Sequence, residues 1–337
     1  MGCSVSTSLI DKLVFPAPEE SSYGDWSFKG EILWVPVRYA NPEGKPDAED
    51  YEFPCRLLQC ESARYLVIYF HRNADDLGSC RWFAEKLRSL LDVHVMVVEY
   101  PGYGLCAAQS ANACQVNKHA FAASTFAQHV LAWSMDRIIV LGSCIGVGPA
   151  VSLAATAEFA GLVLISPFLS VRNIVRSHSR LAACLVKEQY PLYELAPPIR
   201  CPTLIFHGQK DKMVPFAHAE KLYDLLECKK DLIKLEGVGH SACLTQDEVL
   251  KPMRDFFSSI ELPGLATKTM IVPPWAFQRG SGKLHALPPS LLASAKSEDE
   301  KLPTSVSPSP LPKVDEKVGM ELSGPSVSHA SEEKTSL

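Results

Sequence analysis

An α/β fold with a mostly parallel sheet and helices on both faces is what this sequence predicts, and three observations predict it. Short apolar runs of strand length recur along the chain, they alternate with stretches of helical period, and one run ends in a glycine-framed turn before a small-residue helix. The runs fall at 65–70, 93–98, 137–141, 161–165, 203–206 and 232–235, and most are continuously apolar, as strands covered on both faces are. The helical stretches fall at 77–91, 118–133, 217–226 and 246–258, with a further one opened by Val151, Leu153 and Ala154.

The lead-in at 12–26 is rich in proline and reads as an irregular segment packed along the surface. Segments 31–37 and 53–58 read as antiparallel edge strands separated by the turn-forming 41–46. Past about Gly264 the composition turns to Pro, Ser, Lys and Glu, centred on Ser-Pro pairs at 305–312, which predicts a solvated, disordered tail. The division expected is an acylated anchor and lead-in at 1–25, one domain at 26–262 and the tail at 263–337.

With 337 residues, 47% of them hydrophobic, the chain can bury a sizeable core. A net charge of -5 with no cluster of Lys and Arg argues against a nucleic-acid partner. The 11 cysteines are scattered without C-x-x-C pairs, so neither a disulfide framework nor a zinc cluster is expected, which suits a reducing cytosol. No metal or organic cofactor is implied.

The first residues, Met1-Gly2-Cys3-Ser4-Val5-Ser6, fit the myristoylation pattern at Gly2, with Cys3 placed for a second acyl chain. One myristoyl chain binds membranes marginally and two bind stably, and few basic residues follow to help. The expectation is therefore dual acylation, a lipid-anchored protein and a soluble body. The plainer alternative is a chance Gly-Cys at the N-terminus.

The chemistry is expected at Gly142-Ser143-Cys144-Ile145-Gly146, a G-x-C-x-G version of the strand–turn–helix elbow that exposes a nucleophile. Tiny residues at both ends let strand and helix approach closely, and Cys144 stands at the tip. Two readings stay open: a thiolate nucleophile, activated by an imidazolium or a helix N-terminus, or a substitution that keeps the shape and ends the chemistry. Ser143 would project from the wrong position of the turn. Asp211, in the loop after the run at 203–206, and His240, on the glycine-rich turn after the last run, complete a triad in the order nucleophile, acid, histidine. Each has an ordinary alternative, Asp211 as a turn residue and His240 as a surface side chain. Asn73 and Ile145 are the candidate donors of an oxyanion hole, while Asp75 or Asp76 would cap the helix after Leu77.

Taken together these segments resemble the α/β-hydrolase domain-containing protein 17 family of membrane-bound, protein-depalmitoylating serine hydrolases. The resemblance covers about residues 10–260. It is carried by Lys12-Leu13-Val14-Phe15, His71-x-Asn73-Ala74-x-Asp76-Leu77-Gly78, Glu99-Tyr100-Pro101-Gly102-Tyr103-Gly104, Ser143-Cys144-Ile145-Gly146, Ser166-Pro167, His207-Gly208 with Asp211, and Gly237-x-Gly239-His240. It implies an α/β-hydrolase fold with a short lid at 167–198, a nucleophile, base and acid at Cys144, His240 and Asp211, and S-acylated membrane proteins as substrates. It also implies a position on the cytoplasmic face of plasma or endosomal membranes, although the family uses a cysteine cluster rather than myristoylation.

Two positions depart from the family pattern. Cys144 replaces its serine, and Arg72 replaces the glycine after the loop histidine, bringing a long cation that could obstruct the oxyanion loop or offer charge to a substrate. Three functions follow as expectations: an acyl thioester hydrolase, a catalytically silent membrane scaffold of the same fold, and a small-molecule esterase or lipase.

Overall fold

The computed structural model describes residues 7–40, 51–106, 110–240, 247–260 and 270–280. Eight strands form one sheet: β1 (Ile32–Pro36), β2 (Glu52–Leu58), β3 (Leu66–Phe70), β4 (His94–Val98), β5 (Ile138–Ser143), β6 (Gly161–Ile165), β7 (Thr203–Gly208) and β8 (Lys230–Leu235). Their order is β1-β2-β4-β3-β5-β6-β7-β8, and every pairing from β4 to β8 is parallel. β1 and β2 pair antiparallel, as expected, but β2 also pairs with β4, so of these two only β1 is an edge strand.

The alternation of the strands sorts the core into two layers. In β3, Leu66, Ile68 and Phe70 face one core, and Val67 and Tyr69 face the other. Helices α3 (Ala113–His129) and α4 (Val147–Ala154) supply Phe126 and Ala150 to the first. Helices α2 (Arg81–Leu91) and α9 (Asp247–Ser259) supply Phe83 and Met253 to the second. Each fully buried side chain of this kind contributes about 1.5–3 kcal/mol, so both faces of the sheet must stay covered.

Two helix starts differ from the periodicity. α2 begins at Arg81 rather than near Leu77, because the Asp76 carboxylate accepts the Gly78 and Ser79 amides and holds 76–80 as a turn. α3 begins at Ala113, where Asn112 accepts the Gln115 amide, and it ends before Trp133. The segment read as an irregular lead-in is preceded by a helix, α1 (Thr7–Val14), whose apolar Ile10, Leu13 and Val14 recur at helical spacing; Pro16 and Pro18 just beyond had masked it.

A larger correction concerns the segment beyond 262. Residues 270–280 do not belong to a disordered tail: Met270 and Ala276 are buried, Trp275 packs edge-on against Phe126, and Arg279 lies over the Trp34 ring. The run from Met270 to Phe277 is an apolar island inside a polar stretch, and averaging composition over the whole tail hid it. The remainder of that tail, the turn at 41–46 and the Gly2-Cys3 motif lie outside the described residues. Among the described residues no helix is long and apolar enough to cross a membrane.

The order in which strands are added reverses between β3 and β5: β4 lies to one side of β3, and the connection from β4 crosses over to β5 on the other. A crevice opens beyond the strand ends at such a switch point. The loops after β3, β5, β7 and β8 carry Asn73, Cys144, Asp211 and His240 respectively.

Candidate active site

Cys144 sits between β5 and α4 with φ 54°, in the left-handed region that strand-to-helix elbows impose on their central residue. The flanking glycines are there because backbone fills the space beside them. A Cβ on Gly142 would lie 2.4 Å from the Gly146 carbonyl oxygen, and one on Gly146 would lie 2.2 Å from the Phe70 oxygen. The tight turn thus presses the elbow against the end of β3.

Three side chains from three strand ends meet in line. His240 Nε2 lies 3.1 Å from Cys144 Sγ, and His240 Nδ1 lies 2.6 Å from Asp211 Oδ2. Asp211 Oδ1 also accepts the Met213 and Val214 amides at 2.9 and 2.8 Å, so Asp211 is a turn residue as well as the partner of His240. The acid and base loops are stitched together where the Lys210 amide donates to Val238 O, and Gly208 leaves room for that carbonyl. The geometry brings Cys144, His240 and Asp211 together as the sequence order predicts.

The charges follow from these contacts. Burial opposes ionisation of Asp211, but hydrogen bonds from His207 and His240, the His240 charge and the Val214 amide hold it well below the usual carboxylate range. Burial likewise works against a charged His240, yet its hydrogen bonds to Asp211 and Cys144, and their negative charge, push it up to about 10. An imidazolium between a carboxylate and a sulfur is the environment that stabilises a thiolate.

Asn73 and Ile145 line one cavity with Cys144. It measures about 230 Å³ and is otherwise apolar, walled by Ile10, Leu13 and Val14 of α1, by Met213 and Val214, and by Phe168 and the segment beyond it. That segment is the short lid, with helices α5 (Val171–His178), α6 (Arg180–Ala183) and α7 (Leu192–Leu195). Val171, Ile174, Val175 and Val186 face the cavity from it. Drug-sized sites begin near about 300 Å³, so this slot suits a slender aliphatic group. Ser143 is buried and does not line it.

Arg72 is tied to its own loop, with its charge felt at Cys144. Its guanidinium grips the Asp75 carboxylate through Nε and Nη2 at 2.8 and 3.0 Å, and it is not among the cavity-lining residues.

The residues that hold the oxyanion loop were not assigned from sequence. Tyr100 donates its hydroxyl to the His71 carbonyl at 2.7 Å, and Tyr103 donates to the Asn73 carbonyl at 2.8 Å. Glu99, wholly buried, lies 3.2 Å from His71 Nε2 and accepts the Tyr23 hydroxyl and the Leu77 and Tyr100 amides. Burial disfavours a charge on His71, but its bond to Glu99 and the charge there raise its pKa. The Glu99-Tyr100-Pro101-Gly102-Tyr103-Gly104 stretch was the available signal. The wall formed by α1 was also missed, though its apolar spacing is visible.

The family model for serine hydrolase (FSH1) matches residues 145–243 of the chain. Human alpha/beta hydrolase domain-containing protein 17C is 28% identical over 249 residues, covering 72% of the chain and 72% of that protein. The Caenorhabditis elegans alpha/beta hydrolase domain-containing protein aho-3 is 27% identical over 263 residues, covering 74% and 78%. The chain has the α/β-hydrolase fold and is similar in sequence to alpha/beta hydrolase domain-containing protein 17. Among solved structures the hydrolase is similar in fold to Est1E from Butyrivibrio proteoclasticus, with a TM-score of 0.52 and 14% identity over 68% of the chain and 98% of the other. It is also similar to a bacterial membrane phospholipase A, with a TM-score of 0.50 and 17% identity over 70% and 88%.

Proposed function

We propose that this hydrolase cleaves acyl thioesters, with Cys144 as nucleophile, His240 as acid and base, and Asp211 orienting the imidazole. The observation that supports it is the continuous chain from Sγ through Nε2 and Nδ1 to Oδ2, at 3.1 and 2.6 Å. The Cys144 thiolate attacks the acyl carbonyl, and the oxyanion is held by the amides of Asn73 and Ile145. His240 then gives its proton to the departing thiolate, leaving an acyl thioester on Cys144. Neutral His240 next takes a proton from water, which attacks that thioester and releases the acid and Cys144.

A thioester substrate fits this nucleophile. Transfer of the acyl group from one sulfur to another exchanges like bonds, so acylation needs little driving force. The narrow aliphatic slot favours a fatty acyl chain. The finer reading is a depalmitoylase acting on S-acylated membrane proteins, which it meets at the cytoplasmic face of membranes through acyl chains on Gly2 and Cys3.

The test is to incubate the full chain with an S-palmitoylated peptide and with soluble short-chain acyl thioesters and esters, following product and the mass of Cys144. Turnover with an acyl adduct on Cys144, both absent in Cys144→Ala, is expected. Turnover of esters with no preference for thioesters would make it a general esterase. Absence of turnover in both the native chain and Cys144→Ser would leave a silent scaffold of the same fold.

A further inference from the structure

Apolar side chains that pack into neither core stand exposed on α1, in and just after α6, and in the loop after Asp211. Leu13 of α1 is 74% exposed, Leu181 of α6 84%, Leu185 just after it 49%, and Met213 52%. Leu13 and Met213 also line the slot with Cys144, so the exposed apolar surface reaches the cavity at these two residues. Hydrogen bonds tie the segments that carry them together: His178 hydrogen-bonds Met213 O, Arg172 donates to Val186 O, and Gln189 donates to Asp11 of α1. Large apolar side chains exposed on adjoining segments beside a cavity mark a binding surface.

The charge on this surface identifies its occupant. The stretch 171–187 carries four cations, Arg172, Arg176, Arg180 and Lys187, and no carboxylate, in a chain whose net charge is -5. Lys12 of α1 and Lys212, beside Met213, are exposed as well, as are Arg176, Arg180 and Lys187. Apolar residues at the centre of a cationic rim complement a bilayer with anionic headgroups, where leucines enter the acyl boundary and arginines meet phosphates.

We infer that α1, α5 and α6 form a membrane-contact face that lays the mouth of the Cys144 cavity on anionic bilayers, independently of the N-terminal acyl groups. The face delivers an acyl chain from the lipid phase into the slot without passage through water. The few basic residues near Gly2 are thereby supplemented by cations more than 160 positions away in sequence, counting from Lys12 to Arg176.

The test uses the full chain carrying Gly2→Ala and Cys3→Ser, so that no lipid is attached, and reads sedimentation with vesicles. Vesicles of phosphatidylcholine with phosphatidylserine should retain the protein and pure phosphatidylcholine should not, and the retention should fall as salt is raised. Arg176→Gln with Arg180→Gln should weaken it about 30-fold, from two basic contacts at a headgroup surface. Leu181→Asp with Leu185→Asp should weaken it further, and an unchanged melting midpoint shows that the fold is intact. Equal partition onto neutral and anionic vesicles, or none onto either, overturns the inference without any variant. Retention on immobilised polyglutamate with no vesicle binding would overturn it too, assigning the face to an acidic protein segment. None of these readouts depends on turnover, so they stand apart from the proposed thioesterase activity.

Discussion

His240 Nε2 and Cys144 Sγ lie 3.1 Å apart although 96 positions separate them in sequence. With Asp211 on the far side, the imidazole is pushed up to about 10, so the proton rests on nitrogen at neutral pH. Under the proposed mechanism the native chain should lose kcat/KM as pH rises through about 10 and the imidazolium is titrated. Cys144→Ser reverses the sign. A hydroxyl needs neutral His240 to take its proton, so the serine variant should gain rate as pH rises through the imidazole's own, lower pKa. Rate profiles of both proteins on one short acyl thioester, corrected for spontaneous hydrolysis, check this. Profiles of the same shape would mean that the sulfur and the imidazole do not form an ion pair.

A second prediction concerns the support of the oxyanion loop. Tyr103 donates to the Asn73 carbonyl at 2.8 Å and acts on the chemistry only through that loop. Tyr103→Phe removes one hydrogen bond of about 0.5–1.5 kcal/mol. If the loss falls on the transition state, kcat drops about 2- to 10-fold with KM unchanged. Equal changes in KM would show that the tyrosine shapes substrate binding instead.

Much of this site was legible because its residues follow strand ends in a fixed order. The apolar runs located the strands, and the glycines around Cys144 announced a turn that only a close backbone approach requires; Gly146, against the Phe70 carbonyl, shows why. Glu99 was not legible in the same way. A buried carboxylate reveals its partners only in three dimensions, and Tyr23, His71 and Leu77 reach it from separate segments. The island around Trp275 failed for a different reason: eight residues of apolar character vanish in a compositional average over the tail that holds them. The apolar spacing of Ile10, Leu13 and Val14 was visible, but nothing in it says that the helix walls the cavity.

Arg72 gives the third prediction. Its guanidinium is held by Asp75, whose side chain is 8% exposed, against 31% for the arginine. Arg72→Gly leaves that carboxylate without its two charged hydrogen bonds and should cost about 1–3 kcal/mol of stability, read by denaturant unfolding. Acylation of Cys144 should change less than about tenfold, because no cavity contact is removed. A larger rise would mean that the side chain obstructs the loop in solution, and a larger fall that its charge reaches the substrate.

The last prediction concerns the N-terminal motif, whose effect must be separable from that of the membrane-contact face. Two acyl chains hold a protein at a bilayer stably, whereas one myristoyl chain does so marginally. On the proposed dual acylation, Gly2→Ala would remove the myristate, and with it the transient encounter that acylation of Cys3 needs, so most of the protein should move to the soluble fraction. Cys3→Ser keeps one chain and should divide between membrane and cytosol. What remains bound in Gly2→Ala should be released by salt, because cations such as Arg176 and Arg180 then hold it, and charge attraction at a surface is screened within about 8 Å at physiological ionic strength. Fractionating cells that express the three forms, with and without a salt wash, reads all of this. A Gly2→Ala protein that stays fully bound after the wash would show that the motif is incidental and that neither lipid nor charge is the anchor.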